Sequence, residues 1–71
     1  MKLTFFGNRS VLIRSAGWDM GILTVILQGG KHYEFYAVPE REFLNFQHVE
    51  SPGRFFNRSI KNHYNFAEIL C

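Results

Sequence analysis

The chain has 71 residues, 46% of them hydrophobic, and a formal net charge of +2. A chain of this length forms a single domain, residues 1–71, and its apolar content is too high for a disordered segment. Its one cysteine, Cys71, excludes an internal disulfide, no CxxC or HxxxH motif supplies a zinc site, and no apolar run approaches the ~20 residues of a membrane span. We therefore expect no metal, no cofactor, no membrane contact and a cytoplasmic location.

The first half of the chain is typical of three β-strands. "SVLIRSAGW" (10–18) is rich in β-branched and aromatic residues, "ILTVILQ" (22–28) is almost wholly apolar, and "KHYEFYA" (31–37) returns after a glycine pair. A two-residue loop at 29–30 predicts that Ile26 pairs with Tyr33. This register places one set of side chains on one face, Tyr33, Phe35, Ile22, Thr24 and Ile26, and a second set on the other, His32, Glu34, Tyr36, Leu23, Val25 and Leu27.

The second half predicts two helices. Pro39 begins the first (39–49), which has acidic residues in its first turn, and Ser51 followed by Pro52 begins the second (52–64). The tail "NFAEILC" is compatible with either a short strand or a packed extension. The predicted fold class is α+β: a three-stranded antiparallel β-meander followed by two helices packed on one face.

The predicted sheet is apolar on both faces, and two short helices can cover only one of them. The second face must be covered by the N-terminal "LTFF", by the tail or by a second molecule. An uncovered apolar face is either a liability or an interaction site for a host protein or a second copy of the chain. The residues predicted for this protein interface are Tyr33, Phe35, Ile22 and Ile26.

Three segments, "SAGWD", "GGKHYEFYAVP" and "SPGRFFNRSI", resemble the KTSC domain in their order and spacing. This short bacterial and phage module occurs at the C-terminus of some lysyl-tRNA synthetases and also alone, and the resemblance covers residues 9–66. The chain departs from the family pattern at two positions. Phe35 replaces the second Tyr of the family's Tyr-x-Tyr, and Trp18 stands where the family often has Tyr. The resemblance implies no enzymatic activity, and its synthetase context suggests RNA as a ligand.

The second predicted helix is basic. Segment 51–64 carries Arg54, Arg58 and Lys61 and no acidic residue, whereas segment 38–50 has a net charge of −2. Spacings of four and three place the cations on one stripe, which could follow a phosphate backbone or could be a solvated face paired with the acidic helix. The residues predicted for nucleic-acid binding are Arg54, Arg58, Lys61, Lys31, Tyr36 and Asn57.

No constellation of residues predicts catalysis. His32, His48 and His63 lie on three different predicted elements, and no serine has a nucleophile-elbow context. Two functions remain, both non-enzymatic. The first is binding of RNA, as tRNA or single strands, through the basic helix and adjacent aromatics. The alternative is a protein-interaction module, such as a phage-type effector, that uses an apolar sheet face.

Overall fold

The computed structural model describes residues 3–6 and 10–69, which contain one antiparallel sheet and a helical layer. The strands lie side by side in chain order: β1 (Leu3–Phe5), β2 (Ile13–Asp19), β3 (Ile22–Leu27), β4 (His32–Phe35) and β5 (Phe66–Ile69). The helical layer between β4 and β5 comprises α1 (Glu40–His48), α2 (Pro52–Phe55) and a π-helical turn (Phe56–Ile60). Cys71 lies outside the described residues.

The predicted α+β class is confirmed, but the described sheet has five strands instead of the predicted three. β1 pairs with β2 and β5 pairs with β4, so the two terminal segments extend the sheet at its edges instead of covering a face. Segments of three and four residues are too short to show a strand pattern by themselves, and pairing with a neighbour makes them strands. The second helical segment ends at Ile60, because the chain turns at residues 61–63.

The register of the β3–β4 hairpin differs from the prediction by one residue. The N–H of Leu27 donates to the carbonyl of Lys31 (2.8 Å) and the N–H of Gly30 donates to the carbonyl of Leu27 (2.9 Å), which leaves a three-residue loop. Gly30 occupies the left-handed region (φ +96°), as this loop type requires. Val25 therefore pairs with Tyr33, and the predicted pairing of Ile26 with Tyr33 is wrong.

This shift moves the side chains of β4 to the opposite face from the predicted one. Tyr33 and Phe35 share a face with Leu23 and Val25, not with the two isoleucines. The predicted protein-interface set is thus divided between the faces: Tyr33 and Phe35 on one, Ile22 and Ile26 on the other.

The helical layer covers the face that carries Val25 and Phe35, and aromatic rings fill the space between this face and the helices. The ring of Phe35 lies edge-on to Phe56 at 5.5 Å, and Phe46 stacks with Phe55 at 5.7 Å. Such rings each bury about 150–250 Å², so a few suffice for a small domain. The buried core comprises Phe6, Ile13, Ala16, Leu23, Val25, Phe35, Val38, Phe43, Phe46, Phe55, Phe56 and Ile60.

The link from β4 to α1 is fastened to the β2–β3 hairpin at Val38. Its N–H donates to the carbonyl of Gly21 (2.9 Å), and its carbonyl accepts from the indole Nε1 of Trp18 (2.7 Å). The Val38 side chain is buried in the core. These contacts place Pro39 at the start of α1, where the sequence predicts the helix to begin.

Replacing Trp18 by Phe removes the indole donor and leaves the Val38 carbonyl without it. We expect the free energy of unfolding to fall by about 1–3 kcal/mol, because a partly buried acceptor loses its partner. Urea unfolding followed by far-UV circular dichroism measures this loss. Tyr36→Phe is the control, since it removes an exposed hydroxyl bond and should change stability by less than about 0.5 kcal/mol. Equal stability of Trp18→Phe and the parent chain would contradict the prediction.

Candidate functional site

A cleft of about 720 Å³ lies between the loop that precedes β2 and the helical segment that begins with α2. This volume is within the range of ligand sites, about 300–1,000 Å³. No carboxylate is found among the described residues that line the cleft. The residues that line the cleft are Ser10, Val11, Leu12, Ser51, Gly53, Arg54, Asn57 and Arg58.

The loop side of the cleft is held in place by hydrogen bonds. The Oγ of Ser10 accepts the backbone N–H groups of Leu12 (3.1 Å) and Ile13 (2.9 Å). The N–H of Gln28 donates to the Leu12 carbonyl (2.8 Å), and the side-chain amide of Gln28 donates to the Ser10 carbonyl (3.2 Å). The β3–β4 hairpin thereby fixes this side of the cleft.

The helical side approaches the loop at Gly53. A Cβ at this position would lie 3.3 Å from the Oγ of Ser10, which is tighter than ordinary van der Waals contact, and 3.4 Å from the Cβ of Leu12, at the near limit of ordinary contact. The glycine of "SPG" therefore allows the helix to approach the loop, and Pro52 is buried beside it at the first helical position.

Arg54 and Arg58 both line the cleft and both are exposed. Within the part of the chain that the structure describes, no ion pair joins either guanidinium to a carboxylate. Glu50 lines a separate, smaller depression that the same two arginines also line. Pairing of these cations with the acidic helix, the alternative considered from the sequence, is thus not found among the described residues.

The π-helical turn separates the third predicted cation from these two. The N–H of Lys61 donates to the carbonyl of Phe56 (2.9 Å), a bond that spans five residues and widens the turn. Arg58 remains beside Arg54 in the cleft, whereas Lys61 lines a neighbouring pocket. The structure brings together two of the three cations of the predicted stripe.

The neighbouring pocket, which we call the aromatic pocket, has a volume of about 120 Å³. It shares Leu12 and Asn57 with the cleft, so the two depressions adjoin. The ring of Phe66, which is 53% exposed, lies 5.8 Å from that of Tyr33. The lining residues are Leu12, Leu27, Tyr33, Phe35, Phe56, Asn57, Lys61 and Phe66.

Sequence reasoning missed Phe66 and with it this pocket. The pocket exists because β5 pairs with β4, which places Phe66 opposite Phe35 with ring centroids 5.4 Å apart. The sequence leaves the tail "NFAEILC" compatible with either a short strand or a packed extension, and it could not show which neighbour a strand would join.

Asn57 lies at the junction of the cleft and the aromatic pocket. Its side chain is exposed, and its amide has no hydrogen-bond partner among the described residues. A free amide offers both donors and an acceptor to a ligand. Asn57 is thus a predicted binding residue that lines both depressions.

The two remaining predicted residues line neither depression. Lys31 is exposed and directly precedes β4. The hydroxyl of Tyr36 donates to Oε1 of Glu34 (3.2 Å), and the ring lines a separate depression beside residues 62–65. The pKa of Tyr36 is raised, mainly by loss of hydration and secondly by this hydrogen bond, so the hydroxyl is protonated at neutral pH.

The histidines do not converge. His32 lies in β4, His48 ends α1 and His63 lies in the turn after the π-helical segment. Across residues 3–6 and 10–69, no three His, Cys, Asp or Glu side chains are grouped closely enough to hold a metal ion. No helix in the same ranges is long and apolar enough to span a membrane.

Comparison with known proteins agrees with this architecture. The sequence model of the KTSC domain matches residues 9–64. The crystal structure of a KTSC domain protein from Yersinia pestis is similar with a TM-score of 0.82 and 30% sequence identity. The similarity covers 97% of this chain and 100% of that one, so it includes the edge strands as well as the helical layer. No curated protein matches the chain.

Replacing Gly53 by Val tests the close approach that forms the cleft. The branched side chain would press on Ser10 and Leu12, and we expect a loss of about 1–3 kcal/mol in the free energy of unfolding. Gly29→Val is the control, since a Cβ at that position meets nothing within 4 Å. Thermal unfolding of both variants measures the difference. Equal melting temperatures would show that the approach is not required.

Proposed function

The chain belongs to the KTSC domain family, and we propose that it is a non-enzymatic module that binds single-stranded RNA through the cleft of Arg54 and Arg58. The observation that carries the proposal is the pair of exposed guanidinium groups in a cleft whose described lining holds no carboxylate. The occurrence of similar domains in lysyl-tRNA synthetases makes RNA the first nucleic acid to test.

Guanidinium groups suit this role because their planar array of donors binds two phosphate oxygens at once. Arg54 and Arg58 line the same cleft, so they can contact one phosphate or two successive phosphates of a strand. Ser51 and the amide of Asn57 add neutral hydrogen-bonding groups. Contacts of this kind position a strand and contribute affinity, but they discriminate little between base sequences.

Binding without chemistry is proposed because the described lining of the cleft offers no activated nucleophile. The hydroxyl oxygen of Ser10 already accepts two backbone N–H groups, and the described residues of the cleft include no histidine. Nucleophilic catalysis requires a base within hydrogen-bond reach of the hydroxyl. The described side chains of the cleft thus favour a binding role.

Protein binding through the sheet remains a prediction with weaker support. The predicted interface set is divided between two faces, and Phe35 is 1% exposed in the core. The sheet face that points away from the helical layer, called here the open face, carries Ile22 and Ile26. It also carries the buried hydroxyl of Thr24, which has no hydrogen-bond partner among the described residues. Nothing on this face selects a host protein over a second copy of the chain.

Neutralising the cleft arginines should abolish most of the RNA affinity. In Arg54→Gln/Arg58→Gln we expect about tenfold weaker binding of fluorescein-labelled oligouridine at roughly 50 mM salt, because two phosphate contacts are lost. The slope of log affinity against log salt should also decrease by about 1.4, or about 0.7 for each phosphate on a single strand. Fluorescence anisotropy at several salt concentrations measures both quantities.

The matched control is Arg14→Gln/Arg41→Gln, which removes the same charge from exposed positions that line neither the cleft nor the aromatic pocket. It should retain the affinity and the salt slope of the parent chain. An equal loss in both double variants would assign the binding to net charge, and no binding by the parent chain at roughly 50 mM salt would refute the proposed function. The arginines are exposed, so melting temperatures should stay nearly unchanged.

A further inference from the structure

We infer that the aromatic pocket receives one unpaired nucleobase of the strand whose phosphates lie at Arg54 and Arg58. This inference rests on the proposed function and deepens it, since it assigns a second contact to the same ligand. It follows from the position, the size and the chemistry of the pocket.

The position of the pocket suits a base attached to a bound backbone. Leu12 and Asn57 line both depressions, so a nucleotide can place its phosphate on the arginine side and its base on the Phe66 side. The volume of about 120 Å³ is close to that of an apolar cavity of about 150 Å³ that binds benzene. The pocket is therefore close in size to a cavity that accepts one aromatic ring.

The walls of the pocket present aromatic surfaces. Phe35 and Phe56 are buried at its base, and Tyr33 and Phe66 stand next to them. More than half of the Phe66 surface is exposed, although a domain of this size needs its rings in the core. Exposed rings in single-strand binding proteins stack on bases, and this contact tolerates any base because each has a π-face.

The rim of the pocket carries polar groups that suit the edge of a base. The free amide of Asn57 can donate to and accept from a Watson–Crick edge, and the ammonium of Lys61 can donate to a base carbonyl. Glu68 is paired with Tyr33 across the sheet, but it does not line the pocket. The described lining thus has no carboxylate to repel the adjacent phosphate.

This combination favours a nucleobase over an apolar side chain of a partner protein. An apolar side chain of a partner protein would contact only the aromatic walls, whereas an anionic strand contacts the walls, Lys61 and the adjacent arginines together. The absence of acidic groups from both described linings complements a negatively charged ligand.

The test compares a short oligouridine with an abasic oligoribonucleotide of the same length and backbone. The parent chain should bind the oligouridine about tenfold more tightly, because only this strand stacks a base. Phe66→Ala should lose this preference and keep its affinity for the abasic strand, whereas Arg54→Gln/Arg58→Gln should weaken both. Leu44→Ala, which removes an exposed apolar side chain that lines neither depression, should preserve the preference.

A measurement on the unmutated chain guards against disruption of β5 in Phe66→Ala. Titration with oligouridine should shift the ring-proton NMR resonances of Phe66 and Tyr33, and titration with the abasic strand should not. If the parent chain binds both strands equally and the rings do not respond, the base-binding inference is overturned while RNA binding stands. If it binds neither strand, the proposed function fails and the inference fails with it.

Discussion

The three-residue loop between β3 and β4 determines which rings enter the core. It allows Val25 to pair with Tyr33, and side chains alternate along a strand, so Tyr33 and Phe35 face the helical layer. A shift of one residue would turn both rings to the open face and replace them with His32 and Glu34. The packing of Phe35 against Phe56, and with it the aromatic pocket, depends on this register.

The cleft depends on a second constraint, the space left by Gly53. Because no Cβ separates α2 from Ser10 and Leu12, the helical segment lies directly against the loop. The π-helical turn then begins at Phe56 and carries Asn57 and Arg58. Turns of this type are uncommon and frequently occur at functional sites. Here it divides the cationic residues between the cleft and the aromatic pocket.

Both departures from the KTSC pattern have a structural explanation. Phe35 is 1% exposed among other rings, where the hydroxyl of a tyrosine would need a buried hydrogen-bond partner. Trp18 places its indole N–H on the Val38 carbonyl, so it joins the Gly-aromatic-Asp segment to the Val-Pro segment. Neither residue lines the cleft, and the departures therefore leave its cationic surface unchanged.

Local sequence determined the α+β class, the central strands and the starts of both helices, because turn glycines, prolines and side-chain periodicity act within a few residues. It also offered Arg54, Arg58 and Asn57 as candidates, since charge and residue type are visible in the sequence, and all three line the cleft. The tertiary structure alone decided the hairpin register, the two edge strands and the place of Phe66 beside Tyr33. These features arise from pairing between segments, and β4 and β5, which together build the aromatic pocket, are separated in the chain by the whole helical layer.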